Sequence, residues 1–382
     1  MGSFITNETT NFLVNGVDIS NIFQPLSLGT QYPSQTGYTI GDKDLNEIFA
    51  KYTNGDDKAE LTGYTIGNKD LNEIFAKYTG SNVGIVWTQR SFPTSGNVNG
   101  FATAGNYWIA TSDLGSMKKM YVSMDGGVNW NTSSYVPSNP NYTGIAGNTD
   151  GTLFCMSNST KFWSSTDGGM RWTNRGNTPG SGYGEEMVYS SGRFVNIFKG
   201  SSPCLTSYST DGINWYNSTG YNDSNVSWMN LATDGNGNLV ATGYKSSISI
   251  TAYSSDNGTS WTQGNNIPGG PYSFPIFPIV YGNGLWVAVA KSDPYQTAVS
   301  SVFPPSWHNH FNPKKFDDIT FCSGQNLFYA TSGGFGIYKS SNGQNWTQVL
   351  SANNAPTTLA YNESQDKFLG VVANKTICYT SL

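Results

Sequence analysis

Seven tryptophans, Trp87, Trp130, Trp172, Trp215, Trp261, Trp307 and Trp346, fall at steps of 43, 42, 43, 46, 46 and 39 residues. Most close one phrase: Ser-Met-Asp-Gly-Gly-Val-Asn-Trp at 123–130, Ser-Thr-Asp-Gly-Gly-Met-Arg-Trp at 165–172, Ser-Thr-Asp-Gly-Ile-Asn-Trp at 209–215. Variants stand at 254–261 and 340–346. A period in the low forties with a strand–turn–strand phrase in each copy predicts radial repetition of a small sheet, a β-propeller.

Each repeat parses into three apolar-alternating strands followed by the tryptophan strand. The first copy reads 100–104, 107–112 and 119–124 before Trp130; the second reads 144–147, 153–158 and 161–166 before Trp172. Second strands of later copies are placed at 193–198, 239–244, 285–290, 327–331 and 367–372. In the turns, Asp125, Asp167, Asp211 and Asp256 are placed to accept backbone N–H groups one or two residues on, and the following glycines to supply positive φ. Trp130, Trp172, Trp215, Trp261 and Trp346 then open outer strands and wedge between blades. These are folding residues. One carboxylate per turn is too few for calcium, which takes six to eight oxygens.

The ends of the chain set the blade count. Three strands, 357–361, 367–372 and 376–381, lack a tryptophan strand behind them, whereas the tryptophan strand at 85–89 lacks three strands in front. Joining them closes the ring without an exposed edge. The expected fold is all-β: seven four-stranded blades over 83–382, the last shared by both termini, behind an arm with short helices over 1–82.

Only 12% of residues are charged, with 44 glycines and 14% aromatics, as suits short strands joined by tight turns. A net charge of −5 with scattered Lys and Arg gives no footprint for nucleic acid. No run is apolar enough for a membrane span, and the first residues lack the basic and apolar regions of a secretory signal. The start matches a myristoylation pattern at Gly2 and Thr6, a short pattern common by chance. Cys155, Cys204, Cys322 and Cys378 form no CxxC and read as small apolar strand residues, with inter-blade pairing left open. The many Asn-x-Ser/Thr triplets are compositional.

The arm is itself repetitive. Residues 36–55 recur at 62–81 with 17 of 20 positions identical, and a looser copy spans 14–25. Asp44 before Glu47, and Asp70 before Glu73, fit a capped helix start. Leu45, Ile48, Phe49 and Tyr52, like Leu71, Ile74, Phe75 and Tyr78, then form an apolar stripe at helical spacing, with Ile22 and Phe23 in the looser copy. Helices this short need something to dock on. They either fold back or serve as repeated docking peptides.

Two resemblances follow from these residues. The phrase Ser-x-Asp-x-Gly-x-x-Trp resembles the Asp-box (BNR) repeat of sialidases and related propellers, which implies the fold and says almost nothing of function, since Asp-boxes lie away from the central site. The tandem Asp-Leu/Ile-x-x-Ile-Phe phrase, near the N-terminus and ahead of a β domain, resembles virion proteins of large DNA viruses of algae and protists. That resemblance implies a minor, non-enzymatic particle component, assembled in a host cytoplasm, whose arm contacts capsid or other virion proteins.

Enzymatic alternatives are poorly supplied. Sialidases clamp their substrate with three arginines, yet this chain has four in all, Arg90, Arg171, Arg175 and Arg193, with Arg171 and Arg175 flanking Trp172. Glu185, Glu186, Asp317 and Asp318 could supply a glycosidase pair but read better as solvated rim charges. His308 and His310 share a strand face without a nearby third ligand, so no metal or cofactor is expected. A sugar-binding or host-attachment propeller is the alternative function, with Tyr183, Tyr216, Tyr221 and Tyr272 as stacking candidates.

Overall fold

Trp108, Ile109 and Ala110 are consecutive in one strand, and all three are fully buried. A strand buried on both faces must have a neighbour on each side, which forces sheets to stack face to face. The same holds for Phe154–Ser157 and Leu239–Val240–Ala241. Here the stack closes into a ring. The computed structural model describes residues 85–381 apart from 86, 97, 113–118, 135–143, 159, 180–182, 200–204, 247, 269–277, 292–295, 312–313 and 352–354; before residue 85 it describes seven short strands.

Two compact units divide the chain, Met1–Gly84 and Ile85–Leu382. The second is a seven-bladed propeller. Blade 1 comprises Val98–Ala104, Tyr107–Ser112, Lys119–Ser123 and Asn131–Thr132; blade 2, Ile145–Gly147, Phe154–Ser157, Lys161–Ser165 and Thr173–Asn177. Blade 3 comprises Tyr183–Ser190, Arg193–Lys199, Thr206–Ser209 and Tyr216–Asn217. Blade 4 has Ser227–Thr233, Leu239–Lys245, Ile248–Ser254 and Ser260–Gln263, with Thr219–Gly220 added in parallel to its outer edge. Ile279–Gly282, Leu285–Val289, Gln296–Ser300 and His308–Phe311 make blade 5; Asp318–Cys322, Leu327–Ser332, Gly336–Ser340 and Thr347–Ser351 make blade 6. In blade 7, Thr358–Asn362, Lys367–Val371 and Ile377–Ser381 are completed by Trp87–Ser91, with Ser381 opposite Trp87 and Ile377 opposite Ser91. The first strands touch in cyclic order, that of blade 7 meeting that of blade 1.

The core lies between blades rather than inside any one. Ile109 and Val122 of blade 1 pack with Phe154, Met156 and Trp172 of blade 2, while Trp108 and Ala110 face Leu369, Val371 and Cys378 of blade 7. The Ser-x-Asp turns build this contact. In blade 3 Ser209 Oγ donates to Asp211 and accepts the Gly212 amide at 2.8 Å, while Asp211 accepts the amides of Ile213 and Asn214, each at 2.8 Å. Blades 1, 2 and 4 repeat the pattern, with donors three or four residues beyond the carboxylate rather than one or two. Gly212 has φ +67, and a Cβ there would lie 2.7 Å from Cys155 Sγ of blade 2. Gly258 meets Val195 of blade 3 in the same way, at 2.8 Å. The turn glycine therefore serves both the hairpin and the fit to the preceding blade. Trp172 and Trp261 are buried, whereas the Trp215 ring lies flat on Phe162 at 3.9 Å.

Three hairpins of identical register mark the first unit. Val14 pairs with Val17 and Leu13 with Asp18; Ile40 with Lys43 and Thr39 with Asp44; Ile66 with Lys69 and Thr65 with Asp70. Successive hairpins are 26 residues apart. The bracketed pairs Asn15-Gly16, Gly41-Asp42 and Gly67-Asn68 are the residue types that tight hairpins need. The helices expected over 45–52 and 71–78 lie outside the described residues, as do Ile22 and Phe23.

Candidate functional site

In every blade the first strand begins, and the second ends, on one face of the ring, opposite the Ser-x-Asp turns. Blades 3, 5 and 6 bring charge to that face around the central channel. Glu185 and Glu186 lie near the start of the first strand of blade 3, Asp317 and Asp318 at that of blade 6, while Lys199 ends the second strand of blade 3 and Lys291 follows that of blade 5. Glu186 Oε2 accepts the Leu231 amide of blade 4 at 2.8 Å; Asp318 Oδ2 accepts the Leu359 amide of blade 7 at 2.9 Å. Each half-buried carboxylate thus ties one first strand to the next. Their neighbours pair locally, Glu185 with Lys199 at 3.9 Å and Asp317 with Lys315 at 3.5 Å.

Glu185 and Asp317 keep partly exposed ion pairs as rim charges would, whereas Glu186 and Asp318, half-buried, are also tied to backbone amides. Burial drives the Glu186 carboxyl up to about 8, opposed by the Leu231 amide and Lys291 and reinforced by Asp318 and Glu185. Burial likewise lifts Asp318 to about 6, against the pull of Lys291 and two backbone amides, and raises Glu185. All three side chains are half-buried. The enclosure could not be read from adjacent acids, because a bulge between Gly184 and Glu186 breaks strand alternation and the burying residues come from other blades. Lys199, Lys291 and Lys315 were likewise not legible as partners. The resulting mouth presents neutral and charged carboxyls beside ammonium groups, a surface suited to polar recognition.

The other candidates are dispersed. Arg90 lies on the outer strand of blade 7; Arg175, on that of blade 2, donates to Ser164 Oγ at 2.8 Å, with Arg171 just before it. Arg193 begins a second strand on the turn face, donating to the Asn257 carbonyl at 3.0 Å and covering the Tyr208 ring. These positions do not converge on the channel. Tyr216 is exposed on an outer strand beside Tyr208, whereas Tyr221 packs edge-on against Trp228, so the two do not form one platform. The side chain of Tyr183 and all of Tyr272 lie outside the described residues. His308 is exposed and His310 half-buried on the outer strand of blade 5. Among the described residues no group of three or more His, Cys, Asp or Glu could hold a metal. Cys155, Cys322 and Cys378 are buried free thiols, each pushed up by burial, Cys322 to about 11; Cys204 lies outside the described residues. No described helix is long and apolar enough to cross a membrane.

No known protein-family model matches the sequence, and no curated protein matches it. Solved structures do share the fold. YCF48 bound to D1 peptide is 16% identical, with a TM-score of 0.58 over 78% of this chain and 96% of its own. YCF48 from Cyanidioschyzon merolae is 14% identical, with a TM-score of 0.55 over 77% and 98%. A chain of the mitotic checkpoint complex is 9% identical, with a TM-score of 0.58 over 79% and 95%. At these identities the likeness is one of architecture: the chain carries a seven-bladed β-propeller.

Proposed function

We propose that this chain is a non-enzymatic interaction protein whose N-terminal repeats fasten a propeller to a larger assembly. The assembly we favour is a virus particle, in which the chain would be a minor capsid or decoration component. One observation carries the reading. Three sequence repeats, one of them strongly diverged, keep the same hairpin register at 26-residue intervals. Conserved local geometry at fixed spacing suits repeated presentation of one docking segment, where tandem copies convert weak single contacts into avidity. The propeller completes its own ring, so it needs no partner to hide an edge.

The position of the four arginines supports a non-enzymatic role over a sialidase-like one, because a three-arginine carboxylate clamp is not assembled. YCF48, similar in fold, has been solved with a peptide bound, which supports a protein rather than a sugar as ligand. The sugar-binding alternative is less favoured because Tyr216 and Tyr221 pack against different rings, Tyr208 and Trp228. Burying one Phe and one Ile per repeat contributes roughly 3–6 kcal/mol before ordering costs. A Phe49→Ala, Phe75→Ala variant should therefore incorporate into particles poorly while melting as the parent does. Normal incorporation would refute the arm's anchoring role.

A further inference from the structure

At three junctions between blades, the residue four places after a tryptophan bonds the carbonyl two places before the next tryptophan. Ser134 N donates to Met170 O at 3.0 Å, Thr219 N to Thr259 O at 2.9 Å, and Asn265 Nδ2 to Pro305 O at 3.2 Å. Between blades 3 and 4 the contact grows into a parallel strand, Tyr221 N continuing it to Trp261 O at 2.8 Å. An outer strand beside its tryptophan can therefore accept an extended segment, and here the chain supplies that segment itself.

The junction where the ring closes, between blades 7 and 1, is built differently. Its corresponding residues are Ser91 and Val128. Ser91 stays in the ladder opposite Ile377, Phe92 N donates to Thr376 O at 2.9 Å, and the Phe92 ring turns inward against Trp130 at 5.1 Å. Among the described residues no donor reaches the Val128 carbonyl. Instead Ser91 and Val128 line an open cleft of about 540 Å³ with Gln89, Arg90, Thr376 and Ile377. Arg90 is fixed at its base, Nε donating to Thr380 Oγ1 at 2.9 Å, and its Nη atoms have no protein partner among the described residues. Val128 is 42% exposed beside it.

We propose that this cleft receives an extended, carboxylate-bearing peptide segment of a partner protein. The segment lies parallel to the outer strand of blade 1, as Thr219–Gly220 lies against blade 4. The Val128 carbonyl accepts one of its N–H groups, and the free edge of the Arg90 guanidinium takes the carboxylate. The site uses no residue of the arm's repeats and none of the channel-mouth carboxylates, so it stands or falls independently of the anchoring reading.

The test is to pan a random heptapeptide display library against the full chain, then titrate the most enriched sequence as a fluorescent peptide. Enriched sequences should carry Asp, Glu or a free C-terminus. Arg90→Gln should weaken the titrated peptide about tenfold or more, the loss expected for a charged hydrogen bond, and Arg90→Lys should weaken it less. Val128→Asp, which places a like charge in the cleft, should also abolish binding while the thermal unfolding curve stays that of the parent; it keeps the test decisive should Arg90→Gln fold poorly. Three results would overturn the proposal: no enrichment, enrichment of neutral or basic peptides, or acidic peptides indifferent to both variants. The last is what binding at Lys199, Lys291 and Lys315 would give.

Discussion

At the scale of single residues, Glu186 and Asp211 are carboxylates with opposite fates. Burial at the channel mouth raises Glu186 from an ordinary 4.5 to about 8. The native state therefore holds a proton that the unfolded chain releases, so this stabilising contribution is complete below pH 4.5 and disappears as pH rises through 8. Asp211 is the reverse. Burial nudges it up, but the amides of Asn214 and Ile213 and two side chains outweigh that and hold it at about 2. Its contribution is present above 3.8 and fades as pH falls toward 2. The expected result for Glu186→Gln, which keeps an acceptor for the Leu231 amide, is a melting temperature that varies less between pH 5 and pH 8 and exceeds the parent's at the upper end. Parallel pH slopes for the two proteins would show that Glu186 is not buried as described.

At the scale of the element, the Ser-x-Asp turn is a joint between blades as much as a hairpin. Gly212→Ala would force both a positive φ on a residue with a Cβ and an overlap with Cys155, and should cost about 2–4 kcal/mol. Asp211→Ala leaves the backbone free to relax into water and should cost only about 1–2 kcal/mol. Chemical denaturation of the two variants checks the order, and equal losses would mean that inter-blade fit contributes little. The strands around these turns were legible in the sequence because the tryptophan spacing dates every blade and its turn. Thr219–Gly220 was not legible, since a two-residue parallel contact leaves no periodicity. Nor was the charge group of Glu186, Lys291 and Asp318, whose members stand in three blades and influence one another only once the ring has formed.

At the scale of the molecule, blade 7 decides the outcome. Its first three strands and its fourth come from distant parts of the chain, and Phe368 rests on Trp87 at 5.6 Å where they join. A chain begun at residue 85 keeps that strand and should melt as the full chain does; one begun at residue 93 bares the edge of Ile377–Ser381 and should self-associate. Light scattering on the two would separate them, and a monomeric shorter form would show that the shared blade is dispensable. Closure of the ring was readable from the sequence because two incomplete repeats stood at opposite ends; the charged face was not, because each first strand contributes only a residue or two to it. The joined blade also has a consequence in time. Bringing Trp87 to Ser381 orders a loop of nearly three hundred residues, an entropic cost of about 5 kcal/mol, and no step of synthesis before the last strand can offset it. Until then the nascent protein is an arc with two raw ends, each able to pair with the complementary end of a neighbouring chain. Ring and chain-to-chain polymer are therefore rival products of one adhesive seam, and the concentration of half-made chains decides between them.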